Sequence, residues 1–339
     1  MNEFYNKLEY FENTEGVEPE IYYHYTSVDA LFDIVKNQSF RLTNLNSSND
    51  LKELSYDYKE FIKDIEILIE EEKNDTERDI LKYYLKFINN DIKEFKKRCS
   101  KKNDIYALCL SSKKDNLTHW DRYANNCKGV CIAINMGAFK VYAKRMNNMI
   151  FGKNLLSHGK VLYESSIRRR RIKKQIFGYI NYLLQEKELN RELKVSLIKN
   201  NAVAQCAAIY SNERIFTKNS SFIDEDEVRM YFQENTIKES LTLLESMKED
   251  LPEMLYRNTR KSFLEMIDKY NLSESNFYVS KYGIRSFIDL VLREIWGSGL
   301  ITEIILGPLC VQNKNELKKF INQYGLKGTK ISVSDVPIR

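Results

Sequence analysis

Val130-Cys131-Ile132-Ala133-Ile134 is apolar at five consecutive positions, so a strand made from it can show neither face to water and belongs inside a covered sheet. Other long stretches, rich in Lys, Glu, Ile, Leu and Asn, favour helix, and 12 glycines and 4 prolines in 339 residues leave few tight turns. The strands are too dispersed for regular βαβ alternation. The class expected is α+β. A composition 43% hydrophobic and 30% charged is that of a globular chain able to bury a core.

Residues Ile21 to Tyr25 read as the first strand, with Ser27 as N-cap of a helix that carries Leu31, Ile34 and Val35 on one face and stops at Asn37. After the short apolar segment Phe40 to Leu42, Asp50 and Glu53 have capping-box spacing and predict a long helix starting there. Helical stretches are expected over about 50–72 and 76–98, the second with Ile80, Tyr84, Phe87, Ile88 and Phe95 at helical intervals. Tyr106 to Ser111 is the next strand, Leu117 to Asn125 a short helix, and Val161 to Tyr163 a further short strand. The chain then turns helical over about 168–210. Val228, Met230 and Phe232 alternate with Arg229 and Tyr231, which predicts a strand with one buried and one polar face. Helix follows over 235–271, then Arg285 to Leu292, the apolar Ile301 to Leu306 stopped by Gly307-Pro308, a helix near 315–324 and a closing strand Lys330 to Ser334. No repeat or low-complexity linker divides the chain, which gives one sheet-centred domain over 1–339 with helical insertions at about 50–98 and 165–215.

Several chemistries lack their motifs: there is no GxGxxG after a strand, no GxxxxGK[ST], no HExxH and no GxSxG. With three histidines, His24, His119 and His158, and six scattered cysteines, no metal centre or disulfide framework is expected. The 53 basic residues exceed the 48 acidic ones by five, too few for a whole-molecule field that would draw in nucleic acid or membrane. No apolar run approaches the roughly 20 residues that cross a bilayer. A cytoplasmic location with free thiols is the expectation.

Four segments carry groups suited to chemistry. His24 lies where the first strand hands over to a helix, beside Tyr25, Thr26 and Ser27, and free N–H groups at such a helix start suit an anionic or hydroxyl-rich ligand; the alternative is a histidine bonded to a neighbouring carbonyl and a plain helix cap. In His119-Trp120-Asp121-Arg122-Tyr123, Trp120 and Tyr123 are three apart and can clamp a planar base, or serve as core anchors, with Tyr123 the better ligand of the two. Asp224-Glu225-Asp226-Glu227-Val228-Arg229 places a carboxylate at a strand start, with Arg229 on the same face as Glu227, an arrangement that can steady a developing oxocarbenium ion or be a surface salt bridge. The run Arg168, Arg169, Arg170 and Arg171 with Lys173 and Lys174 offers phosphate contacts or a solvated helix face.

The ordered series Tyr23-His24-Tyr25-Thr26, Asn49-Asp50 with Glu53, a strand ending at Ser111, Trp120 and Tyr123 followed by Gly129, Phe222 to Arg229, and Ile304-Ile305-Leu306-Gly307-Pro308 resembles the bacterial family catalogued as domain of unknown function 2971 across most of the chain. That family looks like a distant branch of the ADP-ribosyltransferase fold. The resemblance implies a split, mixed β-sheet with large helical insertions and an NAD cleft, NAD being a substrate. It implies Glu227 as catalytic glutamate with Glu225 as competitor, His24 holding a ribose hydroxyl or the nicotinamide amide, and Tyr25, Thr26, Ser27, Ser111, Trp120, Tyr123 and Arg229 around the cofactor. A macromolecular acceptor, protein or nucleic acid, in a toxin or anti-phage setting is the activity implied. The alternatives are a non-catalytic nucleic-acid-binding or defence-sensor protein using the 168–174 helix, and an NAD glycohydrolase.

Overall fold

In the computed structural model the apolar run at 130–134 is an interior strand of a sheet that has ten strands among the described residues. Those residues are 21–47, 54–99, 104–147, 156–185, 190–249, 251–270, 272, 275–280 and 283–338. The chain divides into two compact units, one drawn from 1–49, 103–160 and 224–339 and the other from 50–102 and 161–223. Both segments expected as helical insertions fall largely in the second unit.

The sheet unit contains β1 (Ile21–Thr26), β2 (Ser39–Asn44), β3 (Ile105–Ser111), β4 (Val130–Asn135), β5 (Leu156–Lys160), β6 (Glu227–Gln233), β7 (Asn276–Ser280), β8 (Gly283–Val291), β9 (Ile301–Leu306) and β10 (Lys330–Val333). Their order is β10-β9-β4-β1-β3-β2-β8-β7, with β6 on β3 and β5 on β6. β10 runs parallel to β9 and the other pairings are antiparallel, so the sheet is mixed and open. The sheet branches at β3. One edge of β3 takes β6 along its whole length, from Ile105↔Gln233 to Ser111↔Glu227. The other edge is shared: β2 pairs at Tyr106 and Ala107, and β1 pairs at Ser111 alone.

Alternation along these strands assigns two faces. Tyr22, Leu108, Leu110, Ile132, Met230 and Ile304 point into the main core. There they meet Leu31, Ile34 and Val35 of the helix Val28–Asn37, Phe139 of Met136–Asn147, Phe263 and Met266 of Glu253–Lys269, and Leu317 and Ile321 of Lys314–Gln323. Each such fully buried side chain contributes about 1.5–3 kcal/mol. The opposite face carries a smaller cluster of Tyr25, Trp120, Ala124, Cys127, Cys131 and Ile305.

The structure departs from the sequence reading at several elements. β6 is buried on both faces, with Glu227, Arg229 and Tyr231 only 3%, 0% and 7% exposed, because the two charges neutralise each other. The segment expected as a strand at 161–163 makes one bridge, Leu162↔Thr217, and the strand lies earlier, at Leu156–Lys160. The helix expected from Asp50 begins at Tyr58, where Asp57 accepts the N–H groups of Lys59 and Glu60; Asp50 and Glu53 lie outside the described residues.

The helical unit consists of Tyr58–Glu71, Asp75–Asn90, Ile92–Cys99, Ser165–Gln185 and Arg191–Phe216. Their apolar stripes, including Phe61, Ile65, Tyr84, Phe95, Ile176 and Cys206, close on one core. The arginine run starts inside the fourth helix and much of it turns inward. Arg168 lies 2.7 Å from Asp64 and over the Tyr56 ring, Arg169 reaches Asp64 and Glu71, and Arg171 binds the wholly buried Glu213 at 2.7 Å. Arg170 is exposed. Burial raises the Glu213 carboxyl above its usual range even though Arg171 and Gln175 favour its charged form.

Candidate functional site

The polar face of the sheet unit gathers groups from four segments around the acidic turn that precedes β6. Glu225 ends a short 3-10 turn, Ser220–Glu225, and the following Asp226 adopts a left-handed backbone, φ 41°. This turn is fixed by its neighbours on β3 and the loop after it. Ser111 Oγ donates to the Glu225 carbonyl at 2.7 Å, Ser112 N–H donates to the Asp226 carbonyl at 3.2 Å, and Lys113 Nζ donates to the Asp224 carbonyl at 2.8 Å. The Asp226 carboxylate takes the Ser112 hydroxyl and an ion pair with Lys160 at 3.0 Å. Burial works against the charged Asp226, but these partners outweigh it and hold its pKa below the ordinary value.

Across from the turn stands the helix Leu117–Tyr123, capped by Asn116. One helical turn presents His119 and Tyr123 together. The His119 Nε2 donates to the Glu225 carbonyl at 3.0 Å, Nδ1 is held by the Asn116 side chain at 2.8 Å, and the Tyr123 hydroxyl donates to the Glu225 carboxylate. Burial lowers the His119 pKa, and the bond to the Glu225 carbonyl opposes that shift. Tyr123 is 41% exposed while Glu225 is buried, so the phenol is the solvent-facing member of the pair.

The helix itself is held at both ends. Tyr25 packs against His119 and Trp120 with ring centroids 5.0 and 4.9 Å away, and its hydroxyl accepts the Asn116 N–H while donating to the Lys113 carbonyl. Asp115 accepts from Trp120 Nε1 at 2.7 Å, from Ser334 Oγ at 2.5 Å and from the Asp335 N–H at 2.8 Å. Beyond Tyr123 the chain reverses through three consecutive left-handed residues, Asn125, Asn126 and Cys127. Gly129 then passes so close to Thr26 that a Cβ there would stand 2.2 Å from its carbonyl oxygen.

Of the residues expected from sequence, Tyr25, Ser111, Tyr123 and Glu225 come together here. Trp120 is wholly buried and serves as a core anchor. Ser27 is the N-cap of its helix, accepting the Ala30 N–H at 3.1 Å, and Thr26 ends β1 opposite Val130. Glu227 and Arg229 lie on the same face as Ser111, and Arg229 engages both carboxylate oxygens of Glu227, at 2.8 and 3.1 Å.

His24 is separated from this group. Tyr23 pairs with Ser111 and Ser111 with Glu227, so those three share one face and His24, next along β1, points to the other. There its ring meets Phe40 edge-on at 6.1 Å. The histidine that joins the acidic turn is instead His119, which the sequence offered only as part of an aromatic helix. Its signal was the i, i+4 spacing to Tyr123.

Residues 119–230 match the family described as Protein of unknown function (DUF2971). The matched span includes His119, Tyr123, Glu225, Glu227 and Arg229. No curated protein and no solved structure matches the chain.

Proposed function

We propose that this chain cleaves the bond between nicotinamide and ribose in NAD and transfers ADP-ribose to a macromolecular acceptor, with Glu225 as the carboxylate beside the reacting carbon. The observation that carries this reading is the Tyr123–Glu225 pair: a buried carboxylate bonded to a solvent-facing phenol, on a turn fixed through its own backbone. Departure of nicotinamide takes the bonding electrons with it and leaves positive charge on the ribose, which a pre-positioned carboxylate stabilises without reorganising. The acceptor nucleophile then adds to that carbon and releases its proton. Tyr123 supplies an aromatic face for the planar leaving group.

Glu225 is preferred over Glu227 because both oxygens of Glu227 are engaged by the fully buried Arg229. His24, facing the other side of the sheet, has in this reading a structural place at the fork of β3. That fork, where β1 and β2 part from a common neighbour, supports a split-sheet, ADP-ribosyltransferase-like assignment. The nucleic-acid reading loses support from the pairing of Arg168, Arg169 and Arg171 within the helical unit.

The test is nicotinamide release from NAD by purified protein with cell extract as acceptor source. Release that is lost in Glu225→Gln and retained in a folded Glu227→Gln supports the reading; free ADP-ribose without modified acceptor makes the protein a hydrolase. Absence of release under every acceptor condition refutes it.

A further inference from the structure

The β7–β8 hairpin is the end of the sheet, and its two faces are treated differently. On one, Arg41 from β2 lies 3.8 Å from the Phe287 ring centroid and 5.5 Å from that of Tyr278, and is pinned by Asp289 at 3.3 Å. The other face continues the apolar side of β8, where Ile288 and Leu290 are buried in the main core. Past the core's edge the same face shows Phe277, Val279 and Ile284 at 69%, 82% and 75% exposure.

Three strands pair with a single described strand each: β5, β7 and β10. β5 carries Lys160 and β10 carries Lys330, charges of the kind that keep edges from pairing with other chains. β7, Asn276-Phe277-Tyr278-Val279-Ser280, carries none.

We infer that β7 is the contact edge of a homodimer, pairing antiparallel with β7 of a second copy about a two-fold axis. A two-fold axis centred on Tyr278 sets Phe277 of one copy beside Val279 of the other, twice, and Asn276 beside Ser280. Apolar groups meet apolar groups and polar meet polar. An uncharged edge is also the one edge that two identical chains share without like-charge repulsion. The apolar side chains and five-residue strand bury less than the ~1,200 Å² of a standard stable interface, so the dimer is weak and concentration-dependent, with Kd in the micromolar range or above.

Sedimentation velocity across a broad concentration series of full-length protein decides the matter. The wild type is expected to shift from monomer to dimer with rising concentration. Val279→Lys, at an exposed position where the monomer's stability does not depend on it, should raise Kd at least about tenfold with an unchanged melting temperature, whereas Val279→Ile should leave Kd within about threefold. A wild type that stays monomeric at the highest concentration, or a Val279→Lys variant that dimerises like wild type, overturns the inference. The experiment is indifferent to nicotinamide release, so it stands or falls apart from the proposed activity.

Discussion

His24 Nδ1 lies 3.1 Å from the carbonyl oxygen of Cys109, at the place on β3 between the single residue that pairs with β1 and the two that pair with β2. A backbone carbonyl at a fork needs a partner, whether a neighbouring strand, a side chain or water, and the imidazole N–H supplies that bond. His24→Ala is expected to destabilise by about 0.5–1.5 kcal/mol, the net worth of one hydrogen bond at a carbonyl that water can reach. Burial lowers the His24 pKa below its ordinary 6.5, the Cys109 bond opposing it. The unfolded chain therefore takes up the proton first, so this residue's contribution is full above pH 6.5 and stability declines as pH falls below it. Urea unfolding over about pH 5 to 8 should show that decline in wild type and a flatter curve in His24→Gln.

Tyr123→Phe removes the hydroxyl from the exposed side of Glu225 and leaves the ring. On the proposed reading, kcat for nicotinamide release falls by about tenfold or more, while the melting temperature stays within a degree or two of wild type, since the residue is partly exposed. A variant of full activity would detach Tyr123 from the chemistry.

Arg171 and Glu213 form a charge pair inside the helical unit, with Gln175 donating to the same carboxylate at 2.7 Å. Removing one member strands the other. Arg171→Met should cost about 3–5 kcal/mol, and the double variant Arg171→Met/Glu213→Leu should recover much of it, because apolar replacements of a buried pair are often neutral. Denaturant titration of the three variants in one buffer gives the coupling directly.

Gly129 and Gly307 meet where β1, β4 and β9 converge below the left-handed turn. A Cβ on Gly307 would stand 2.5 Å from the Cys127 carbonyl oxygen, and one on Gly129 would stand 2.9 Å from the Ala124 backbone as well as closer still to Thr26. Backbone atoms cannot swing aside as a side-chain tip can. Gly129→Ala should destabilise by about 3 kcal/mol, and because the same turn seats the helix bearing His119 and Tyr123, any nicotinamide release should drop with it. Thermal unfolding of Gly129→Ala beside Gly297→Ala, whose nearest obstacle is 3.4 Å away, separates close packing from a general effect of replacing glycine.

Glu303 gathers Lys114 at 2.8 Å, Ser332 at 2.7 Å and Lys330 at 3.3 Å. Burial acts to raise its pKa, but the three bonds prevail and lower it from 4.5 to about 2. A depressed carboxyl stabilises the fold above its unfolded value and ceases to do so as pH falls through the folded one. Glu303→Gln should therefore cost about 2 kcal/mol at neutral pH, after allowance for the solvent around both lysines. The difference from wild type should shrink between about pH 4.5 and pH 2 in pH-stepped urea titrations.

The sequence was legible wherever one residue type dominated. Val130 to Ile134 and Ile301 to Leu306 announce buried strands, and the Ser27 cap and the Leu31, Ile34, Val35 stripe appear as expected. Compensated patterns were hidden. Glu227 and Arg229 look like a solvated strand face, yet they neutralise each other and are buried, a cancellation visible only once both are placed. Leu156-Ser157-His158-Gly159-Lys160 is too polar to announce a strand and pairs because β6 offers it an edge. At the candidate site, Glu225 and Tyr123 were legible as residue types. The role of His119 was not, because it acts on a backbone carbonyl 106 positions away.

The three-segment construction of the sheet unit has a consequence for synthesis on the ribosome. β1, β3 and β4 emerge early, but β6, which completes one edge of β3, follows only after the helical segments, and β9, which covers the far edge of β4, comes some 165 residues after it. Until then β4, apolar at five consecutive positions, has an open side. The nascent chain must carry that unpaired edge while some 165 further residues are added, and Asp115 receives its contacts from Ser334 and Asp335 only after β9 and β10 have been made. The helix bearing Tyr123 thus gains these anchors 219 positions after Asp115 itself, which delays completion of the site well beyond the synthesis of its first half.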